Sequence, residues 1–179
     1  AIALANDIDA QKKEMYEGTF TDANEHFVLD DIHNLKGQDI PFVTLATASF
    51  PCNDLSLAGA RKGINGRHSS AFWGFASLIK EMGNRKPLMI LLENVTGLLT
   101  SHAGGDFKQV LLALNDLGYS VDPFIIDASH FVPQSRQRLF VVGVLEDFNA
   151  WGVKEQLQFY ESDLRPKALC DFILEHPEI

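Results

Sequence analysis

A cysteine, a carboxylate with its neighbouring amide, and a pair of arginines each lie next to strand-like stretches of this 179-residue chain. Cys52 opens the loop PCNDLSLAGARKG at residues 51–63, directly after a β-rich run at residues 42–50. A cysteine at a strand end, where backbone amides favour its thiolate, can act as a nucleophile. A free cysteine is also often a small buried apolar residue, so position alone leaves both interpretations open.

Glu93 and Asn94 directly follow the apolar run LMILL at residues 88–92. A carboxylate at that point is costly when it is buried without a partner and useful when it faces a cleft. A helix cap or a solvated loop acid would account for the same residues, so a functional role stays one of two hypotheses here.

Arg136 and Arg138 alternate with polar residues in QSRQRLFVVG, residues 134–143. At strand spacing both guanidinium groups point to one face, where two planar forks suit a phosphate or a carboxylate. A solvated strand face opposite the apolar Leu139 and Val141 would show the same alternation, and this alternative also remains open.

Strand-like and helix-like stretches alternate along the chain. Strands are expected at residues 2–4, 26–29, 42–50, 88–92, 120–126 and 139–144. Helices are expected at residues 10–18 after Asp9, 71–83 after Ser69 or Ser70, 107–118 after Asp106, and 167–174. The run at 88–92 is apolar on both faces, which suits an inner parallel strand.

This order predicts an α/β, Rossmann-like, doubly wound sheet that is mostly parallel. The strands at 120–126 and 139–144 have no helix between them and should form an antiparallel edge hairpin. Because ligands bind at the carboxyl ends of strands in such sheets, we expect the three loops to share one rim.

Composition places limits on the class of protein. Hydrophobic residues make up 46% and charged residues 22%, and the apolar runs are far shorter than the roughly 18 residues that span a bilayer. The first residues lack the pattern of a signal peptide, so a cytoplasmic location is expected.

The net charge of -9 argues mildly against nucleic-acid binding, unless the 15 Lys and Arg residues are grouped on one face. Cys52 and Cys170 alone cannot form a metal cage or a disulfide scaffold.

Taken together, the three loops resemble signatures of the DNA cytosine-5 methyltransferases of the bacterial modification-methylase type. The matches agree in order and spacing and are Pro51-Cys52-x-x-x-Ser56-x-Ala58-Gly59, Glu93-Asn94-Val95 and Gln134-x-Arg136-x-Arg138. In that family these are the nucleophile loop, the E-N-V signature and the Q-x-R-x-R signature. The resemblance covers residues 3–165.

The resemblance implies methyl transfer from S-adenosylmethionine to C5 of a cytosine flipped out of double-stranded DNA, with no metal and no membrane. Cys52 would add to C6 of the base, and Glu93 would bond to N3 and the exocyclic amine. Arg136 and Arg138 would position the ring carbonyl and the loop, and Asn94 would help to hold the nucleophile loop. The full-length parent is expected to be a monomer of bacterial or phage origin.

The same resemblance implies a cofactor site at the ends of the first two strands. Asp7 would hold the ribose hydroxyls of S-adenosylmethionine, and Ile8 would lie against the adenine. Asp31, followed by Ile32, would accept a hydrogen bond from the adenine amino group, and Pro51 would complete the set. As bare acids, Asp7 and Asp31 would more often be ordinary caps.

Several positions depart from the family pattern. Asn53 replaces the usual Gln, Leu55 the usual Phe, Ser49 the usual Gly, and His68 an Arg that the family often has. The family's glycine-rich first loop, F-x-G-x-G-G, is expected before Ala1, and its recognition domain after Ile179. We therefore expect a fragment, with a partial catalytic core at residues 1–145 and a connector toward a recognition domain at residues 146–179.

Three alternatives stay open at the sequence level. An RNA cytosine-5 methyltransferase of the tRNA-modifying type has a similar nucleophile loop. A non-catalytic remnant or partner subunit would keep the fold without turnover. A hydrolase could pair Cys52 with His130, although neither an oxyanion hole nor an orienting acid can be assigned.

Overall fold

The structure is a computed structural model, and it describes residues 1–50, 71–146 and 161–179. Some predictions fall outside these ranges and therefore stay predictions. They concern Pro51, Cys52, Asn53, Leu55, His68 and the helix cap at Ser69 or Ser70.

Strands within the described ranges form two groups. They are β1 (Ala5–Asp7), β2 (Phe27–Leu29), β3 (Leu45–Ser49), β4 (Met89–Val95), β5 (Tyr119–Asp127) and β6 (Gln137–Leu145). β1 and β2 pair in parallel, and the second sheet has the order β3-β4-β6-β5. β3 and β4 are parallel, whereas β6 runs antiparallel to both of its neighbours. The α/β class and the closing antiparallel hairpin are confirmed, and the hairpin inserts β6 between β4 and β5.

The α-helices of the described ranges are α1 (Ala10–Thr19), α2 (Ala23–His26), α3 (Ala71–Glu81), α4 (Gly105–Asp116) and α5 (Lys167–Glu175). Apolar stripes of α3, α4 and α5 are buried in the core, whereas no residue of α1 is buried. The inward-facing residues predicted for α4 are confirmed, since Val110, Leu111 and Leu114 are all fully buried. In α5, Leu169 and Phe172 join the same core. The segment expected to be a connector thus contributes to the packing, while its boundary at residues 145–146 stays a prediction.

Most element ends differ from the sequence prediction by one to three residues. The first strand is Ala5–Asp7, not residues 2–4, because Asn6 is tied into the pair through its amide, which donates to the carbonyls of Val28 and Asp30. Asp9 does cap α1, as predicted, by accepting a 2.8 Å hydrogen bond from the Gln11 backbone N–H.

Asp106 was expected to be the N-cap of α4, and this was wrong. Helix α4 begins at Gly105, and its N-cap is Gly104, which has a left-handed backbone. Asp106 lies buried in the first turn and accepts hydrogen bonds from Ser101 Oγ at 2.5 Å and from His102 Nδ1 at 2.7 Å. These contacts stabilise an acid near the positive end of the helix.

Burial alternates along β4 instead of covering both faces. Ile90, Leu92 and Asn94 are buried, whereas Met89 is 38% exposed and Glu93 is partly exposed. The expectation of a strand buried on both faces is therefore wrong for the described residues.

Within the described ranges, no helix has the length and apolar character needed to cross a membrane.

Candidate active site

The carboxyl ends of β3 and β4 lie side by side at one edge of the larger sheet. Ser49, the last residue of β3, is in register with Glu93 of β4. Because β6 runs antiparallel to β4, its first residues return to this edge, and Arg138 is paired with Val95. The edge therefore gathers Ser49, the Glu93–Asn94 pair and Arg138 from three segments that lie more than 40 residues apart in the sequence.

Glu93 is held from both neighbouring strands. Its Oε1 forms an ion pair with Nε of Arg138 at 2.9 Å, and its Oε2 accepts a hydrogen bond from the hydroxyl of Ser49 at 2.5 Å. The side chains of Glu93 and Arg138 retain 30% and 21% of their exposure. A carboxylate has about four acceptor positions, so two donors leave room for a further pair.

Asn94 connects the ends of β4 and β3. Its side chain is buried, and its Nδ2 donates a 2.8 Å hydrogen bond to the backbone carbonyl of Phe50. Its Oδ1 accepts from the backbone N–H of Val95 at 2.8 Å. Both polar atoms of this buried amide are thus paired. The bond to Phe50 fixes the end of β3 relative to the end of β4, next to Glu93.

Arg136 does not share a strand face with Arg138. β6 begins at Gln137, so Arg136 belongs to the preceding turn, where its backbone N–H donates to Asp127 Oδ1 at 2.8 Å. The residue is exposed, and no hydrogen bond or ion pair joins its guanidinium group to another described residue. Of the two predicted arginines, only Arg138 is brought to the Glu93 carboxylate.

Asp127 organises the turn that carries Arg136. It is the last residue of β5, and its carboxylate accepts from the backbone N–H groups of Ser129 and Arg136 and from the hydroxyl of Ser135. These donors favour the charged form, beginning with the Ser129 N–H, and lower the pKa of Asp127 from 3.8 to about 2. These hydrogen bonds hold the two ends of the loop between β5 and β6 together.

The predicted cofactor acids meet at the ends of β1 and β2. Asp7 ends β1, and the backbone N–H of Asp30 donates to the carbonyl of Asp7 at 3.2 Å, so the chain leaving β2 starts beside it. Asp7 accepts from the backbone N–H of Asp9 at 2.9 Å and from Nζ of Lys12 at 3.1 Å. Asp31 caps the following turn by accepting from the His33 N–H at 3.0 Å.

Two apolar residues flank these acids. Ile8, directly after Asp7, is 68% exposed, which is unusual for an isoleucine at a strand end. Ile32, directly after Asp31, packs against the core. It lies so close to α3 that a Cβ atom added at Gly74 would be only 2.6 Å from Cγ2 of Ile32. The structure thus brings Asp7, Ile8 and Asp31 to one edge, with Ile32 anchoring that edge to α3.

Two residues at the edge of the larger sheet that carries Glu93 were missed by sequence reasoning. Ser49 was noted only as a departure from a family pattern, and Asp127 was not singled out. An acid that ends a strand two residues before a serine is a recognisable turn signal, whereas the contact from Ser49 depends on strand register. Among the described residues, no group of three His, Cys, Asp or Glu side chains is arranged to hold a metal ion.

Comparison with known families gives a match over nearly the whole chain. The profile of the C-5 cytosine-specific DNA methylases matches residues 1–175. The type II methyltransferase M.SsoII of Shigella sonnei is 32% identical over 176 residues, covering 97% of this chain and 44% of that protein. The type II methyltransferase M.Bsp6I of Bacillus sp. (strain RFL6) is 33% identical over 141 residues, covering 78% of this chain and 43% of that protein.

Solved structures show the same fold. The Dnmt2 methyltransferase of S. pombe superposes with a TM-score of 0.63 and 26% identity, covering 92% of this chain and 51% of that one. The DNMT2 mutant of Spodoptera frugiperda superposes with a TM-score of 0.67 at 19% identity. The chain spans about half the length of the proteins that it matches.

Proposed function

Because the chain belongs to the family of C-5 cytosine-specific DNA methylases, we propose that it transfers a methyl group from S-adenosylmethionine to C5 of a flipped-out cytosine in double-stranded DNA. The observation that carries this proposal is the pairing of Glu93 with Arg138 beside the Asn94–Phe50 hydrogen bond. Cys52 follows Phe50 by two residues in the sequence. A thiol and an oriented carboxylate at one edge are what addition to a cytosine ring requires.

In the proposed reaction, the thiolate of Cys52 adds to C6 of the base, and the carbon–sulfur bond converts the ring into a nucleophile at C5. A proton held between Glu93 and N3 neutralises the negative charge that develops on the ring as the thiolate adds, and Glu93 also accepts a hydrogen bond from the exocyclic amine. C5 then takes the methyl group from the sulfonium of S-adenosylmethionine, whose sulfur keeps the electron pair of the broken S–CH3 bond and leaves as S-adenosylhomocysteine. Loss of the C5 proton and departure of the Cys52 thiolate restore the ring.

The arginines and Asn94 have supporting roles in this proposal. Arg138 fixes one oxygen of Glu93, while Arg136 reaches the ring carbonyl or the nucleic-acid backbone from the turn between β5 and β6. Asn94 fixes the carbonyl of Phe50 and, through it, the start of the nucleophile loop. The target base must leave the helical stack before these groups can reach it.

Residues at the ends of β1 and β2 fit an adenosine group. Two carboxylates, Asp7 and Asp31, can accept from ribose hydroxyls and from an adenine amine, and the exposed side chain of Ile8 offers an apolar surface for a ring. We assign Asp7, Ile8, Asp31, Ile32 and Pro51 to the binding of S-adenosylmethionine. When bound, this group supplies the methyl group that C5 receives.

The test uses the complete polypeptide that contains this chain, since the chain spans less than half of its curated relatives. The protein is incubated with S-adenosylmethionine and a random-sequence duplex carrying 5-fluorocytosine, whose fluorine blocks the last step. We expect a covalent complex that survives denaturing electrophoresis. Cys52→Ser should form none, whereas Cys170→Ala should form it normally, because Cys170 is a buried thiol in α5.

A parallel incubation uses 5-fluorocytosine in RNA. This arm tests the alternative of an RNA methyltransferase, which requires the same thiol and carboxylate. A complex with RNA and none with DNA would replace the proposed substrate. Failure of the unaltered protein to form a complex with either nucleic acid would overturn the catalytic proposal, and the non-catalytic alternative would then stand. In cells, we expect the reaction in the cytoplasm.

A further inference from the structure

Ser49 is placed directly opposite Glu93, and its hydroxyl donates to the oxygen that Arg138 does not hold. The two residues are register partners in the parallel pair of β3 and β4. The distance from Ser49 Oγ to Glu93 Oε2 is 2.5 Å, which is within the range of a hydrogen bond to a charged acceptor. The family resemblance assigns this position no role, because the family usually has a glycine there.

The carboxylate of Glu93 is therefore bracketed by its two neighbouring strands. Arg138 of β6 holds Oε1 from one side, and Ser49 of β3 holds Oε2 from the other. With Arg138 alone, the carboxyl group could pivot about Oε1, since the last torsion of a glutamate is broad and roughly two-fold. Two donors on two oxygens fix the plane of the group.

We propose that Ser49 is a positioning residue for Glu93. The inference rests on the proposed function, in which Glu93 must face N3 and the amine of the base at the same time. A pair of hydrogen bonds to a planar ring tolerates little rotation of the carboxyl plane, because catalytic geometry must be held within about 0.5 Å and 10–20°. Glycine, which carries no hydroxyl, cannot supply this second anchor.

The experiment measures kcat and KM for DNA methylation by the complete polypeptide in five forms. We expect Ser49→Ala to lower kcat about 10-fold, the effect of losing one hydrogen bond to a charged group in the transition state. KM for DNA should stay unchanged, because Ser49 acts through Glu93. Ser49→Thr keeps a hydroxyl and should keep the kcat of the unaltered protein. Ser49→Val has the shape of threonine without the hydroxyl and should show the same loss of kcat as Ser49→Ala.

Thr47→Val is the matched control. Thr47 lies two residues earlier on the same face of β3, and its hydroxyl bonds to no described side chain. This variant should keep the kcat of the unaltered protein. If Ser49→Ala lowers the melting temperature, the comparison of Ser49→Thr with Ser49→Val decides, because the two differ only in the hydroxyl.

If the unaltered protein is active and Ser49→Ala keeps its kcat, this inference is overturned while the proposed function stands. It is also overturned if Ser49→Thr shows the same loss as Ser49→Ala, or if Thr47→Val shares the loss. When the unaltered protein neither methylates nor forms the 5-fluorocytosine complex, the proposed function fails and this inference falls with it.

Discussion

The side-chain amide of Asn94 donates a 2.8 Å hydrogen bond to the backbone carbonyl of Phe50 and so ties the end of β4 to the end of β3. The bond is buried, and it spans 44 residues of sequence. It therefore sets where the chain leaves β3, immediately before Pro51 and Cys52, relative to the strand that carries Glu93.

Replacement of Asn94 by Asp should break this connection. The carboxylate has the same shape as the amide but cannot donate when charged, so the Phe50 carbonyl loses its partner and faces a like-signed oxygen. We expect about 2 kcal/mol lower free energy of unfolding, measured in urea. Covalent complex formation should slow at least 10-fold if the bond positions the nucleophile.

Asn115→Asp is the control for this prediction. Asn115 also donates through its amide to a backbone carbonyl, that of Ile179, at 3.2 Å and far from the site. Its replacement should leave the rate of complex formation unchanged. Equal rates in Asn94→Asp and Asn115→Asp would show that the Asn94 contact has no part in positioning the loop.

Replacement of Arg138 by Lys should impair the reaction even though the charge is kept. The ammonium group of lysine is a point charge and cannot reproduce the planar guanidinium that meets Oε1 of Glu93 through Nε. We expect kcat to fall about 10-fold or more, with a small change in KM for DNA. Steady-state methylation assays measure this, and an unchanged kcat would separate Arg138 from the orientation of Glu93.

Arg136 should behave differently, because its guanidinium group is exposed and has no described partner. We expect Arg136→Ala to weaken DNA binding and to reduce the slope of log K against log salt by about 1, the signature of one lost phosphate contact. Fluorescence anisotropy with labelled DNA at several salt concentrations measures the slope. A slope equal to that of the unaltered protein, together with a lower kcat, would assign Arg136 to the base instead.

The difference between these arginines shows what sequence patterns can and cannot predict here. The alternation in residues 134–143 correctly indicated a strand, but it could not show where that strand begins. Asp127 decides the start, because it takes the backbone N–H of Arg136 for the turn and leaves Gln137 as the first strand residue. A competing local hydrogen bond of this kind is not visible in hydrophobic periodicity.

The apolar periodicity predicted the core helices and the edge that carries the site. Burial of Val110, Leu111 and Leu114 follows from their 3.6-residue spacing. In contrast, the contacts of Asp106 and Ser49 depend on partners brought together by tertiary structure. Ser49 meets Glu93 only because two strands pair in one register, and a shift by one residue would point the serine to the other face.

Asp127 should make the turn between β5 and β6 sensitive to acid only at unusually low pH. Its pKa is lowered to about 2 by the Ser129 and Arg136 N–H groups and the Ser135 hydroxyl. A carboxyl with a lowered folded-state pKa contributes stability above its ordinary pKa, and the contribution is lost as pH falls toward the folded-state value. The relevant window thus lies between the ordinary value of 3.8 and about 2.

This pH dependence can be followed through the amide resonances of Ser129 and Arg136 in NMR spectra. At pH 3.8 both should still have the chemical shifts of neutral pH, because Asp127 remains charged there. In Asp127→Asn, both resonances should lie upfield of those of the unaltered protein at every pH above about 2, since the charged acceptor is gone. Half-complete titration of these amides at pH 3.8 would contradict the arrangement of donors around Asp127.

The loop before α4 provides a prediction about stability, because it holds a residue with a side chain in the left-handed region. Ala103 has φ of 55° and is exposed, and it precedes Gly104 with φ of 85°. An L-residue in this region costs roughly 1–2 kcal/mol, and glycine avoids that cost while losing about 0.5–1 kcal/mol of backbone entropy. Ala103→Gly should therefore raise the free energy of unfolding by about 0.5–1 kcal/mol.

Two further replacements fix the sign of this effect in the same urea titrations. Gly104→Ala should destabilise the protein, because the left-handed backbone disfavours a Cβ atom and this one would lie 3.1 Å from Cε2 of Phe172. Ala113→Gly, within α4, should cost about 1 kcal/mol, since glycine is a poor helix former. If Ala103→Gly lost as much stability as Ala113→Gly, the left-handed conformation of the loop would be wrong.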